Sequence, residues 1–472
     1  MNNSSIVKRF IYLSIVFGMI LLVLTPPFQA PDEDSHFKKA YVISKGNLFP
    51  EVQNGKIGFM LPEGLVNYIE EQTKKAGDLD ETFEYKEIYL SERLPGEYGA
   101  EKFYNFSTAT TNPLAHIIPA SGIIFGEFIA KIIQIGLPSI VYYLYFARMF
   151  NLLFYIIIIA MSIHISPILK RTIAMVGLMP MALFLASTAS YDTLLIALAF
   201  LATAIIFSLS YGETQKKLTM PYIVILGIIA YLFIAIKIVY LPLFLLMLFL
   251  PKRELSNIKE YVKKLLILFA IVIGIYLVFR FITPSLEAVD PKNTDILVSK
   301  QIDYVIHHPV QYCKIFFNTL KETRLYLVSS TIGVFGLLDT NLFCAFLGLY
   351  LICMPILGIF EISIDKVKVK IIDRMVVLIS VMASVFGCYL AMYIYWTISI
   401  DGYGVGAQSI TGVQGRYFIP MMPVSFLIFA NLRLQKNEKL RKIMIGIVDN
   451  YALLSIVMLS VSCIVILLRF WC

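Results

Sequence analysis

Long apolar runs separated by short charged breaks set the pattern of this chain. The first, Ile11 to Leu24, follows Lys8 and Arg9 and ends at Pro26 and Pro27. It has no small-residue cleavage site, so it reads as a retained transmembrane helix rather than a signal peptide. Further runs lie at roughly 137–161, 172–188, 192–210, 220–236, 239–250, 265–281, 340–363, 375–398, 415–432 and 445–470. Most reach the about 17–25 residues that a helix needs to cross a bilayer. The run at 239–250 is short, and reads either as extended back to Ile234 or as a broken helix. The pattern predicts an all-α polytopic membrane protein with about 11 transmembrane helices, in a single domain over 1–472.

The charged breaks orient these helices, because basic residues concentrate in cytoplasmic loops. With the N-terminus inside, the inner loops carry Lys170 and Arg171, then Lys216 and Lys217, then Lys252, Arg253, Lys259, Lys263 and Lys264. Lys366, Lys368, Lys370 and Arg374 follow, then Arg433, Lys436, Lys439, Arg441 and Lys442. The C-terminus, at Trp471 and Cys472, then lies outside. Two long segments remain on the outer side, 26–136 and 284–339. The first has an acidic excess in Asp32, Glu33, Asp34, Glu63, Glu70, Glu71, Asp78, Asp80 and Glu81. Within it Glu63 to Lys75 reads as a surface helix, and Pro113 to Ile133 as an apolar interfacial helix. Taking the latter as a span would invert the loops that follow and place their basic clusters outside. Leu325 to Leu338 is apolar but short, and reads as a re-entrant or surface helix.

Composition excludes a soluble enzyme. The 472 residues are 58% hydrophobic and 15% charged, against about 25% charged in soluble domains. The 6 Cys show no paired spacing, so neither a disulfide framework nor a zinc site is suggested. No basic groove with interleaved aromatics points to nucleic acid, and no Gly-rich Lys-Ser/Thr loop points to direct nucleotide use.

The topology gathers distant polar residues on one face. Asp32, Glu33 and His36 follow the first helix, and Tyr191 and Asp192 occupy a minimal outer turn. Lys237 and Tyr240 lie at the next outer end. Asp339 closes an outer apolar segment, and Gln414, Arg416 and Tyr417 open a later span. Charged groups near hydrocarbon are costly unless paired or hydrated, so this reads as a working site. Plainer readings stand beside it. Asp32, Glu33 and Asp34 could form a solvated turn; Asp192 could cap a helix; Lys237 could snorkel to headgroups; Arg416 could bind lipid phosphate structurally; His36 could only orient an acidic neighbour. His116, His164, His307 and His308 show no ligand spacing. A carboxylate on this face could deprotonate a hydroxyl acceptor, and Arg416 and Lys237 could hold a lipid-linked phosphate. A second carboxylate could orient the acceptor or hold a divalent cation.

The opening motif Pro26-Pro-Phe-Gln-Ala-Pro-Asp-Glu-Asp-Ser-His36 is followed by Ala40-Tyr41, Gly46, Asn112-Pro113 and Ser190-Tyr-Asp192. Lys237 with Tyr240-Leu-Pro242, Gly333-Val-Phe-Gly336, Asp339 and Gln414-Gly-Arg-Tyr-Phe-Ile-Pro420 complete the set. In these residues, over nearly the whole chain, the sequence resembles the bacterial membrane-protein family DUF2142, which in turn resembles the GT-C glycosyltransferases. The resemblance implies a multi-pass protein of the bacterial cytoplasmic membrane with an extracytoplasmic active site. It implies a polyprenyl-phosphate sugar donor and an acidic catalytic motif just after the first helix. Asp32 then takes the role of base, Glu33 and Asp192 are the further catalytic carboxylates, and an amphipathic first loop over Glu63 to Ile133 roofs the donor site. The implied reaction is sugar transfer, with inversion, to a cell-surface glycan or lipid-linked acceptor. Magnesium or manganese is compatible with the acidic groups, although some such enzymes work without metal. Export of a lipid-linked glycan, transfer of a whole oligosaccharide or phosphoglycerol-type group, and a noncatalytic place among envelope-assembly partners are the alternatives.

Overall fold

A computed structural model describes residues 3–75, 77–90, 98–212, 217–249, 257–284, 294–364, 369–429 and 438–472. Of the basic loop residues named above, Lys216, Lys252, Arg253, Lys366, Lys368, Arg433 and Lys436 lie outside the described residues. The chain folds as an all-α multi-pass membrane protein with two small sheets added.

Helix α1 (Asn3–Leu24) leads into α2 (Glu33–Ser44). A three-stranded antiparallel sheet then forms from β1 (Glu51–Gln53), β2 (Lys56–Pro62) and β3 (Glu101–Tyr104), with α3 (Glu63–Lys74) and α4 (Tyr85–Leu90) between its last two strands. The apolar runs had given no sign of this sheet, because its strands are short and half-exposed. Helices α5 (Ile117–Ile133), α6 (Ile140–Ile165), α7 (Lys170–Gly177), α8 (Pro180–Ala186), α9 (Asp192–Tyr211) and α10 (Met220–Ile236) follow. A 3-10 segment, Ile238–Phe249, contains Pro242 and matches the second of the two readings of that run, a broken helix. Next come α11 (Ile258–Ile282), α12 (Thr294–His307) and α13 (Pro309–Ile332), the hairpin β4 (Val334–Phe335) and β5 (Thr340–Asn341), α14 (Cys344–Ile364) and α15 (Ile371–Ala391). Short 3-10 and α turns fill Gly415–Phe429, before α16 (Glu438–Asp449) and α17 (Tyr451–Phe470).

Eight helices are long and apolar enough to cross a membrane, with three shorter apolar helices beside them, among the described residues. That set includes the 113–133 segment and leaves out 172–188, so it differs in membership from the expected spans. The 172–188 run is two short helices, because Pro180 has no N–H to continue the ladder and holds Met179 extended at ψ 136°. Apart from Lys170 both helices are buried, so the break is covered by protein.

Packing fixes the direction of each pass. Gly18 of α1 lies against Leu152 of α6, and Leu22 against Arg148, so the two helices are antiparallel. Helix α5 is antiparallel to the start of α6, with Gly122 beside Ala147 and Gly126 bonded to Tyr142. Its start lies level with the end of α1, since Gly122 sits by Phe146 and Ala147 where Leu22 sits by Arg148, and so it continues the direction of α1 instead of returning alongside it. Its Ile124, Phe125, Phe128, Ile132 and Ile133 are exposed. Helix α17 runs parallel to α1: Tyr451 sits near Arg9 at one end, and Trp471 donates to the Leu24 carbonyl at the other. The two chain ends therefore lie at opposite ends of the bundle.

Candidate functional site

The turn that ends α1 is held by one arginine. Arg148, fully buried in α6, donates from Nε to Glu33 Oε1 at 2.8 Å and from Nη2 to Glu33 Oε2 at 2.6 Å. Its remaining N–H groups reach the carbonyls of Leu22, Thr25 and Pro26 at 2.7–3.0 Å. All five guanidinium donors are thus used, in the bidentate geometry that suits a carboxylate. Glu33 Oε1 also accepts the Ala189 N–H at 2.9 Å. One buried ion pair therefore joins the end of α1, the start of α2, the middle of α6 and the turn before α9. Asn151 secures that turn by donating to the Thr188 and Ser190 carbonyls. Glu33 had been grouped with the catalytic carboxylates. Its complete burial and its three hydrogen bonds, two of them from Arg148, make it a structural anchor instead, closed off from a substrate.

Asp32, one residue earlier, is the opposite case. Its side chain is 58% exposed. Its backbone is left-handed, with φ 59° and ψ 8°, a conformation that Asp tolerates better than most residues. The anchored neighbour and the left-handed turn together leave its carboxylate partly open to the outside while it still reaches a buried partner. Arg416 Nη2 donates to Asp32 Oδ2 at 2.6 Å, and Arg416 Nη1 lies 3.2 Å from Asp192 Oδ2. The guanidinium is almost completely buried and bridges the two carboxylates. Partial burial would raise the Asp32 pKa, but Arg416, His36 and Lys237 outweigh it and hold the carboxyl below its ordinary range.

Lys237 follows the last residue of α10. Its Nζ is 3.9 Å from Asp192 Oδ1 and 3.5 Å from the centre of the Tyr417 ring. The long carboxylate contact and the cation–π contact leave this ammonium with donors to spare. Tyr240 is buried and donates to the Tyr417 carbonyl at 3.1 Å, so it supports the 415–421 turn from beneath. That turn is docked on α13: Gly415 donates to Ser330 Oγ and accepts from Thr331 Oγ1. A Cβ on Gly415 would collide with Leu327 O and Thr331 N, which is why a glycine precedes Arg416. Gln414 Oε1 is buried with no partner, as is Arg416 Nε.

The structure thus brings together Asp32, His36, Asp192, Lys237, Arg416 and Tyr417 from segments far apart in sequence. It places Asp339 elsewhere. That carboxylate accepts from Thr340 Oγ1 and pairs with Arg469 at 3.3 Å, at the end of α17. Arg148 and His116 were missed. Arg148 sits inside an apolar run, where a fully buried charge is itself a signal that a partner exists. His116 Nε2 and His36 Nδ1 are 2.9 Å apart, and the Tyr191 ring meets His36 edge-on at 4.5 Å.

Between Asp32 and Asp192 there is no room for a divalent cation. Among the described residues no group of three or more His, Cys, Asp or Glu converges to hold one. The place between Asp32 and Asp192 is taken by the Arg416 guanidinium.

A cavity of ≈ 340 Å³ lies between the ends of α10 and α11 and the 110–113 segment, with Ala235 in its lining two residues before Lys237. Tyr231, Ile234, Tyr276 and Phe279 give it apolar walls, with Asn112 and Arg280 as polar groups. Asn112 Nδ2 donates to Tyr231 Oη at 3.2 Å across it.

The arrangement can hold an anion at Lys237 and the spare Arg416 donor, accept a proton at Asp32, and seat an apolar chain alongside. No curated protein and no solved structure matches the chain. A family model described as "Predicted membrane protein (DUF2142)" matches residues 15–425, and the chain belongs to that family.

Proposed function

We propose that this protein is a GT-C-like glycosyltransferase that moves a sugar from a polyprenyl-phosphate donor to a glycan or lipid-linked acceptor. The reaction takes place on the extracytoplasmic face of the bacterial cytoplasmic membrane. The observation that carries this reading is the exposed Asp32 carboxylate, ion-paired to buried Arg416 in a cluster that includes Lys237 at the end of α10, where a cavity opens between α10 and α11. The acceptor O–H gives its proton to Asp32 as its oxygen bonds to the anomeric carbon. The bond from that carbon to the phosphate oxygen breaks, and the polyprenyl phosphate leaves with the electron pair. One displacement inverts the centre. Lys237 and Arg416 face the negative charge growing on the leaving phosphate, so cationic side chains do the work a metal would otherwise do. The isoprenoid chain lies in the cavity, entering past α11, whose apolar side chains are largely exposed.

Mass spectrometry of surface glycans and lipid-linked sugars tests the reading. A deletion strain is compared with strains expressing the intact protein or Asp32→Asn. Loss of one sugar substituent, with accumulation of its lipid-phosphate donor, is expected. Only the intact protein restores it. Unchanged glycans in the deletion strain, or full rescue by Asp32→Asn, would end the proposal.

A further inference from the structure

The His36–His116 pair belongs to the site, yet nothing above gives it work. Both rings are buried and joined through His36 Nδ1 and His116 Nε2 at 2.9 Å, with ring centres 5.1 Å apart. One hydrogen lies between two nitrogens, so the bond permits two arrangements. In the first, His36 Nδ1–H donates. His116 must then carry its other proton on Nδ1, which is buried and has no acceptor. His36 Nε2 would be a lone pair, while the charges that act on the ring include the carboxylates of Asp32, Asp192 and Asp34. That arrangement strands a buried donor and sets a lone pair toward negative charge.

In the second, His116 Nε2–H donates to His36 Nδ1. The stranded atom of His116 is now a lone pair. Lys39, three residues along α2 from His36, acts on that ring in its charged form; it donates to the Ala109 carbonyl at 2.8 Å and stands 4.2 Å over the Phe59 ring, and burial brings its pKa down to about 7. His36 then carries its proton on Nε2. His116 occupies Nδ1, so Nε2–H is the N–H left to the field of Asp32 and Asp192. Arg416 is the cation that opposes this on the same side, and it is already engaged by both carboxylates. Asp32, Asp192 and Asp34 therefore favour the second arrangement and Arg416 alone opposes it, while Tyr191 walls the pair edge-on.

We infer that His116 is a positioning residue that fixes His36 as the Nε2–H tautomer, so that His36 presents a donor to the Asp32 and Asp192 carboxylates and keeps Asp32 an oriented anion during transfer. The inference rests on the transfer reading for its purpose but not for its geometry. Burial also lowers the His36 pKa, against the pull of Asp32 and Asp192, so the ring is neutral at pH 7 and the choice of tautomer matters.

The test uses the intact protein in lipid nanodiscs with ¹⁵N-labelled histidines. The chain has only 5 His, so single substitutions assign every signal. His36 is expected with Nε2 protonated and Nδ1 accepting. His116→Ala should release it to a tautomer mixture. His116→Gln, whose amide N–H can replace Nε2–H, should keep it. A protonated Nδ1 on His36, or a tautomer indifferent to His116→Ala, overturns the inference whether or not any sugar is transferred. With the tautomer as expected, His116→Ala should slow transfer about tenfold with unchanged KM, and His116→Gln should restore most of it. An unchanged rate in His116→Ala would overturn the positioning role and leave the transfer reading standing. Absence of transfer by the intact protein would sink that reading alone.

Discussion

Adjacent carboxylates with opposite fates define this molecule at the scale of residues. Glu33 is closed into a bidentate pair with Arg148, and Asp32 stands exposed beside it. Removing one partner of a buried pair leaves the other charge without compensation. Arg148→Ala should therefore cost about 3–5 kcal/mol of stability, read as a lowered unfolding temperature in detergent. Arg148→Lys should not restore it, since an ammonium cannot span two carboxylate oxygens and three carbonyls. Asp32→Asn should behave in the reverse way. Asn tolerates a left-handed backbone and keeps the side-chain shape, so the fold should survive while transfer falls by about 10²–10⁴. Acid should act on Asp32 late. Its folded pKa lies below the ordinary 3.8, so the charged form and the stability it brings are present above the unfolded value and lost only as pH falls through the lower folded one. His36 should act earlier. Its folded pKa lies below 6.5, so the unfolded chain takes up its proton first and stability declines as pH falls below 6.5. His36→Gln should flatten that part of a plot of unfolding temperature against pH, and an unchanged slope would place the acid sensitivity in another group.

At the scale of elements, how much could be read from sequence depended on whether the signal was local. Helices α1, α6, α9 and α17 declare themselves as apolar runs bounded by charge, and Asp32, Asp192, Lys237 and Arg416 are polar residues at the ends of such runs. The topology alone could place those four on one face. It could not distinguish Asp32 from Glu33, because the difference comes from Arg148, 115 residues further on. It could not find the β1–β3 sheet or the His36–His116 contact, which depend on pairing between distant segments. It misjudged 172–188 because hydropathy does not register the backbone break at Pro180. The Gly415–Met421 turn shows the same dependence on contact. A methyl group on Gly415 has no room against the α13 backbone, so Gly415→Ala must push the turn outward and carry Arg416 with it. A shift of about 1 Å at a charged group of this kind can cost about a hundredfold in rate. Gly415→Ala should thus impair transfer far more than it lowers the unfolding temperature, and equal losses in both would show that the turn only holds the fold together.

At the scale of the whole molecule, the last helix closes over the site end of the bundle, beyond the 15–425 stretch that carries the family match. Arg469 donates to the Asp78 and Glu81 carbonyls and pairs with Asp339, while Trp471 stacks on Tyr85 at 4.0 Å and bonds to Leu24. Those contacts fix Cys472 at the same end as Asp32, with α1 starting from the other. The geometry gives opposite ends, and the basic residues at the far end, Lys8, Arg9, Lys170 and Arg171, supply the sign by preferring the cytoplasm. A chain retaining only Cys472 should therefore react with a membrane-impermeant maleimide in intact spheroplasts. A chain whose single cysteine is Ser4→Cys, an exposed position at the start of α1, should react only after permeabilisation. The reverse pattern would put Asp32 on the cytoplasmic side and overturn the proposed extracytoplasmic reaction. Labelling of both positions from one side would contradict the parallel course of α1 and α17 itself.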